Sequence, residues 1–133
     1  MVAFVVDNSV AIAWSLKSQA TEYTERLLAE ASHGLLHTAF IWPAEFANVI
    51  NVIVRRGVIS EERGFELVTF SRDFGFIVDG PPGSSALYSL CREYSLSAYD
   101  AAYLELAMRL NIPLATRDDD LAKAAKKLNL FFA

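Results

Sequence analysis

A chain of 133 residues and 14.7 kDa is large enough to enclose a hydrophobic core, and residues 1–133 read as a single domain. Hydrophobic residues make up 53% of it, which favours a sheet covered on both faces or a surface buried against a partner; no apolar run approaches the roughly 18 residues of a bilayer span. One cysteine, Cys91, excludes an internal disulfide and a cysteine-rich zinc cluster, the start lacks the features of a secretory signal, and a cytoplasmic protein with no membrane partner is expected.

Residues 2–6, all apolar, read as a buried strand ending at Asp7, after which Asn8-Ser9 offer capping side chains for a helix through Ala11, Ile12 and Leu16. A second helix spans about 21–31 and ends near Gly34. A second strand covers 35–38. Trp42-Pro43 opens a long helix, with proline in its first turn, that runs to Arg55-Arg56 and stops at Gly57. Ser60 to Arg63 starts another helix in capping style, and 74–78 read as a third strand. The loop Asp79-Gly80-Pro81-Pro82-Gly83 follows, then helices at about 84–94 and 98–109. A short strand over 113–116, a helix of about 119–127 and a terminal strand 128–132 complete the chain. Strands separated by helical segments define an α/β class with a central parallel sheet between layers of helices.

Four carboxylates fall where this pattern turns from buried strand or helix to an open edge. Asp7 and Asp118 follow strands, and Glu45 and Asp100 lie in the first turns of helices. Each also has a structural reading: Asp7 and Asp118 as caps, Asp100 as the fourth member of the capping box Ser97-Ala98-Tyr99-Asp100, Glu45 as a complement to the helix dipole. These readings are compatible with a shared site, because helices that follow sheet edges open on the side where α/β proteins bind ligands. Two like charges about 4 Å apart repel by roughly 4 kcal/mol at an effective dielectric near 20, so gathering them requires a cation or a raised pKa. All-oxygen ligands suit Mg2+ or Mn2+, whereas zinc favours histidine or cysteine. His33 and His37 straddle a glycine break and read as surface or packing residues. No Gly-x-Ser-x-Gly elbow, phosphate-binding glycine loop or Cys–His pair competes, which leaves metal-assisted hydrolysis of phosphodiesters. The net charge of −4 does not exclude a nucleic-acid substrate: without the four acids, 12 acidic residues face 12 basic ones.

The segments Val5-Val6-Asp7-Asn8-Ser9, Pro43-Ala44-Glu45, Leu96-Ser97-Ala98-Tyr99-Asp100-Ala101-Ala102-Tyr103 and Leu114-Ala115-Thr116-Arg117-Asp118 together resemble the PIN-domain nucleases, and within them the VapC-type toxins of toxin–antitoxin pairs. The resemblance implies a three-layer α/β/α PIN-like fold and a divalent-metal-dependent endoribonuclease built on Asp7, Glu45, Asp100 and Asp118. It also implies a homodimer inhibited by a cognate antitoxin protein. Asp7, Asp100 and Asp118 would hold the ion, and Glu45 would position a second ion or the attacking water. Asp120 is the candidate outer ligand. Ser9 and Thr116 are either donors that orient these carboxylates or capping and turn residues; Arg117 is either a phosphate contact or a solvated side chain. Trp14, Leu16, Ile50 and Val54 are assigned either to a groove for an amphipathic antitoxin segment or to core packing. The rival reading is a PIN-like interaction module without nuclease activity.

Overall fold

The structure, a computed structural model, describes residues 2–133. The strands are β1 (Val2–Val6), β2 (Gly34–Thr38), β3 (Ile77–Val78) and β4 (Leu114–Ala115), all parallel, in the order β3-β2-β1-β4. The helices are α1 (Asn8–Ser15), α2 (Glu22–Ala31), α3 (Trp42–Arg55), α4 (Glu61–Phe70), α5 (Ser84–Tyr94), α6 (Ala98–Leu110) and α7 (Asp119–Lys127).

β1 alternates its side chains between two cores, as the two-residue period of a strand requires. Phe4 and Val6 meet Val10, Leu27, Leu36 and Ala115 on one face. Val5 and Leu114 meet Phe46, Tyr103, Leu104 and Leu121 on the other. The result is a three-layer α/β/α sandwich. α6 is buried continuously from Ala101 to Ala107, which explains why its sequence lacks an amphipathic stripe. β1 lies between β2 and β4, so connections leave it on both sides, and the crevice at the carboxyl ends of β1 and β4 is the switch point of the sheet. The close approach of β1 and β2 depends on Gly34, since a Cβ there would meet the Val2 carbonyl oxygen at 2.8 Å.

Local signals hold at most helix starts. Thr21 and Thr24 form a reciprocal capping box on α2, and Ser60 and Ser97 cap α4 and α6. α3 carries proline in its first turn and is followed by Gly57 at φ 74°. Three expectations are corrected. Of the caps read for α1, Asp7 is the one that forms, and Asn8 and Ser9, expected to offer capping side chains, are already inside the helix. The third strand is shorter than 74–78, because Ser71–Phe74 is a 3-10 turn and Gly75 sits at φ 68°. That left-handed glycine stacks Phe74 on Phe76 with centroids 5.2 Å apart and brings both rings to Trp42. The terminal strand 128–132 reduces to one parallel bridge, Leu114 to Phe131, since two-residue β4 presents so little edge to pair with. The last residues are fixed by their rings instead, Phe132 against Phe4 at 4.7 Å and Phe131 stacked on Tyr23 at 5.9 Å.

Trp14 and Leu16 join no common groove with Ile50 and Val54. Trp14 turns inward and donates to the Thr24 carbonyl at 2.8 Å, and Leu16 packs on the main core. Ile50 and Val54 do line a groove, between α3 and α4, with Ala47, Phe65 and Val68. No helix among the described residues is long and apolar enough to cross a membrane.

Candidate active site

Asp7, Glu45, Asp100 and Asp118 line one cleft at the switch point, together with Asn8, Ser9, Gln19, Tyr103 and Arg117. Four separate stretches of sequence therefore deliver their acids to one wall. Asp7 arrives at the end of β1 and Asp118 just after β4, each turned into place by capping the helix that follows: Asp7 accepts from the Val10 amide at 3.2 Å and Asp118 from the Leu121 amide at 2.8 Å. Asp100 stands in the first turn of α6, its amide donating to Ser97 Oγ at 3.1 Å. Glu45 stands in the first turn of α3. The capping and site roles coincide at Asp7 and Asp118.

Asp7 is 4% exposed and held by a hydroxyl on each oxygen. Ser9 Oγ donates to Oδ1 at 2.6 Å, and Thr116 Oγ1 donates to Oδ2. Each hydroxyl is in turn polarised by an amide of the β4–α7 loop, Arg117 N to Ser9 Oγ at 2.9 Å and Asp118 N to Thr116 Oγ1 at 3.0 Å. Ser9 and Thr116 thus orient the Asp7 carboxylate and tie the loop bearing Asp118 to it. Burial nevertheless pushes the Asp7 carboxyl up from 3.8 to about 6; the three donors pull it down and the charge of Asp100 adds to the rise.

Asp100 is also pushed up to about 6, by burial first and then by the charges of Asp118, Glu45 and Asp120. Burial raises Glu45, against a hydrogen bond from Tyr103 that holds it lower. Tyr103, 1% exposed, donates its hydroxyl to Glu45 Oε1 at 2.6 Å, and its own ionisation is pushed far up by burial and by that carboxylate. The sequence reading assigned Tyr103 no role. Its signal was the spacing: three residues after Asp100, it shares a face of α6 with it. Asn8 is likewise unassigned as a ligand, yet it lines the cleft and among the described residues its buried Oδ1 has no hydrogen-bond partner.

The remaining residues separate cleanly. Asp119 is exposed, and Asp120 lines an adjoining cleft between α5 and α7. His37 is bound to Asp79 at 2.7 Å, away from the acids, and His33 is exposed. Cys91 is half-buried against the main core.

The donor set fits a hard divalent cation. It offers carboxylate oxygens that raise one another's pKa and a spare buried amide oxygen, with no sulfur or imidazole among the described lining residues. Among the described residues no group of three or more His, Cys, Asp or Glu side chains closes round one point. Magnesium does not need such a cage, since it keeps several waters and is commonly held through one or two carboxylates.

A parallel open sheet with an acidic cleft at its switch point defines an α/β protein whose carboxylates gather at the edge where such sheets bind ligands. The PIN domain family model matches residues 4–127, and the chain belongs to that family. It is similar to Ribonuclease VapC3 of Pyrobaculum aerophilum, 28% identical over 122 residues that cover 90% of this chain and 92% of that one. Among solved structures, PAE2754 from Pyrobaculum aerophilum superposes with a TM-score of 0.74 at 20% identity, covering 92% of this chain and 78% of that one. VapC20 of Mycobacterium tuberculosis, a sarcin-ricin loop cleaving toxin, gives 0.65 at 15% identity over 91% and 94%. Both structures share the fold.

Proposed function

We propose that the chain is a metal-dependent endoribonuclease, the toxin of a type II toxin–antitoxin pair, acting in the cytoplasm as a single-domain homodimer. The observation that carries this reading is the convergence of Asp7, Glu45, Asp100 and Asp118 on one cleft in which Asp7 and Asp100 are both pushed up to about 6. The similarity to a VapC ribonuclease along nine-tenths of the chain supports RNA as the substrate and a cognate antitoxin as the partner.

Asp7, Asp100 and Asp118 are the residues that would hold Mg2+ or Mn2+, with Glu45 beside them. When bound, the ion supplies a lowered pKa for water and charge stabilisation for an in-line displacement at phosphorus. The chain's own residues supply orientation. Ser9 and Thr116 fix the plane of the Asp7 carboxylate, and Tyr103 holds Glu45 by one oxygen, leaving the other free to take a proton from, or orient, a water. Arg117, on the same wall, offers a cation to a phosphate oxygen of the substrate. The groove formed by Ile50, Val54, Phe65 and Val68 offers apolar surface for the antitoxin.

The test is to induce the protein in cells and sequence the RNA ends produced, with Asp7→Asn as control. New ends that depend on Asp7, and magnesium-dependent cleavage of the same RNA by purified protein, are the expected results. A chain that is harmless when expressed alone, generates no new ends and finds no proteinaceous inhibitor would reject the reading.

A further inference from the structure

Three of the chain's four lysines stand on α7, the helix that Asp118 caps. Lys126 is committed elsewhere, its Nζ lying 4.9 Å from the centroid of Phe131. Lys123 and Lys127 are one helical turn apart, about 6 Å along the axis, and both line the cleft of about 310 Å³ between α5 and α7. Glu93 and Asp120 line the same cleft, yet among the described residues neither lysine approaches a carboxylate within salt-bridge distance. The helix dipole accounts for a cation at Lys127, in the last turn, but not for Lys123 in the middle of the helix.

This cleft adjoins the acidic one. Asp118 lines the first and Asp120, two residues on, the second, and the charge of Asp120 is felt at Asp100. A polyanion lying across the acidic cleft therefore meets the two lysines on leaving it. Tyr94, half-buried against the main core, also lines this cleft.

Resting on the nuclease reading above, we infer that the α5–α7 cleft is a subsite for the single-stranded RNA flanking the cleaved bond, with Lys123 and Lys127 binding successive backbone phosphates. Each lysine that neutralises a phosphate of a single strand releases counterions, and contributes about 0.7 to the slope of log affinity against log salt.

The experiment measures binding of a mixed-sequence single-stranded RNA oligonucleotide to the full chain carrying Asp7→Asn, so that cleavage does not intervene. Against that background K123A/K127A is expected to weaken binding about tenfold near 0.1 M salt and to flatten the salt slope by about 1.4. K123R/K127R should restore both. R55A/R56A, an equal change of charge at the end of α3, should leave both nearly unaltered. Unchanged affinity and slope in K123A/K127A, or an equal loss in R55A/R56A, overturns the inference even if the wild type cuts RNA. Lysine-dependent binding by a wild type that cuts nothing overturns the nuclease reading and leaves the cleft as a binding site for single-stranded RNA without cleavage.

Discussion

The Tyr103 hydroxyl donates to Glu45 Oε1 at 2.6 Å, joining the first turn of α3 to the second turn of α6 across 58 residues of sequence. Removing the hydroxyl deprives a half-buried carboxylate of a donor that favours its charged form, so Glu45 rises further. Tyr103→Phe should shift the acid limb of the pH–rate profile to higher pH, lower cleavage near neutrality by roughly tenfold and cost about 1 kcal/mol of stability. Single-turnover cleavage across pH, with a parallel thermal melt, checks this; an unmoved acid limb would reduce Tyr103 to packing.

The raised carboxyls give the metal-free protein an unusual pH dependence. Between about pH 4 and 6 the folded chain keeps protons on Asp7 and Asp100 that the unfolded chain has released, so the folded state binds more protons there. Stability therefore falls as pH rises through that window, and for Asp7, which is fully buried, the loss is on the order of 3 kcal/mol. Denaturant titrations without divalent ions should give higher stability from these groups at pH 5 than at pH 7.5, with Asp100→Asn flattening the difference. Added Mg2+ should stabilise the wild type at pH 7.5 far more than at pH 5, because binding must displace those protons. Equal stabilisation at both pH values would remove the link between these acids and the cation.

Much of this arrangement was legible in the sequence because it is written locally. A five-residue apolar run followed by Asp7, serines immediately before α4 and α6, and an aspartate shortly after Thr116 each act within one turn of chain, and each is found where its chemistry places it. What escaped depends on distant partners. The two readings of Ser9 and Thr116 stay open in the sequence because the links that decide between them, Thr116 to Asp7 and the Arg117 amide to Ser9, span 109 and 108 residues, and the Tyr103 contact spans 58. The third strand was overextended because Phe74 and Phe76 alternate as strand residues do, while the ring cluster around Trp42 and a left-handed Gly75 decide otherwise. The terminal strand failed for a related reason, as its pattern was adequate but its partner β4 was two residues long.

Gly34 allows a different check, on the scaffold rather than the chemistry. An alanine Cβ there would stand 2.8 Å from the Val2 carbonyl oxygen and 3.4 Å from that of Glu30, and backbone atoms cannot swing aside as a side-chain end can. Gly34→Ala should cost about 1–3 kcal/mol and loosen the β1–β2 pairing that carries Asp7 to the cleft. Chemical denaturation measures the loss directly. A neutral or stabilising result would mean that the two strands separate more easily than their register implies.

The three adjacent aspartates after Arg117 divide by position. Asp118 lines the acidic cleft and caps α7 through its Oδ2, whereas Asp120 lies in the neighbouring cleft and acts on Asp100 only through its charge. Asp119 is exposed and lines neither. Asparagine is a clean probe here, because it caps a helix about as well as aspartate and so removes charge without unfastening α7. Damage to single-turnover cleavage at saturating Mg2+ or Mn2+ should run Asp118→Asn worst, Asp120→Asn intermediate and Asp119→Asn mildest. The first should approach inactivity; the second should lose several-fold and bring the Asp100 carboxyl back toward its ordinary value, because one of the charges raising it is gone. Saturating metal is needed so that weakened occupancy is not mistaken for a lost chemical role. An active Asp118→Asn beside a dead Asp119→Asn would move the fourth acid one residue along the chain and detach the cap of α7 from the site.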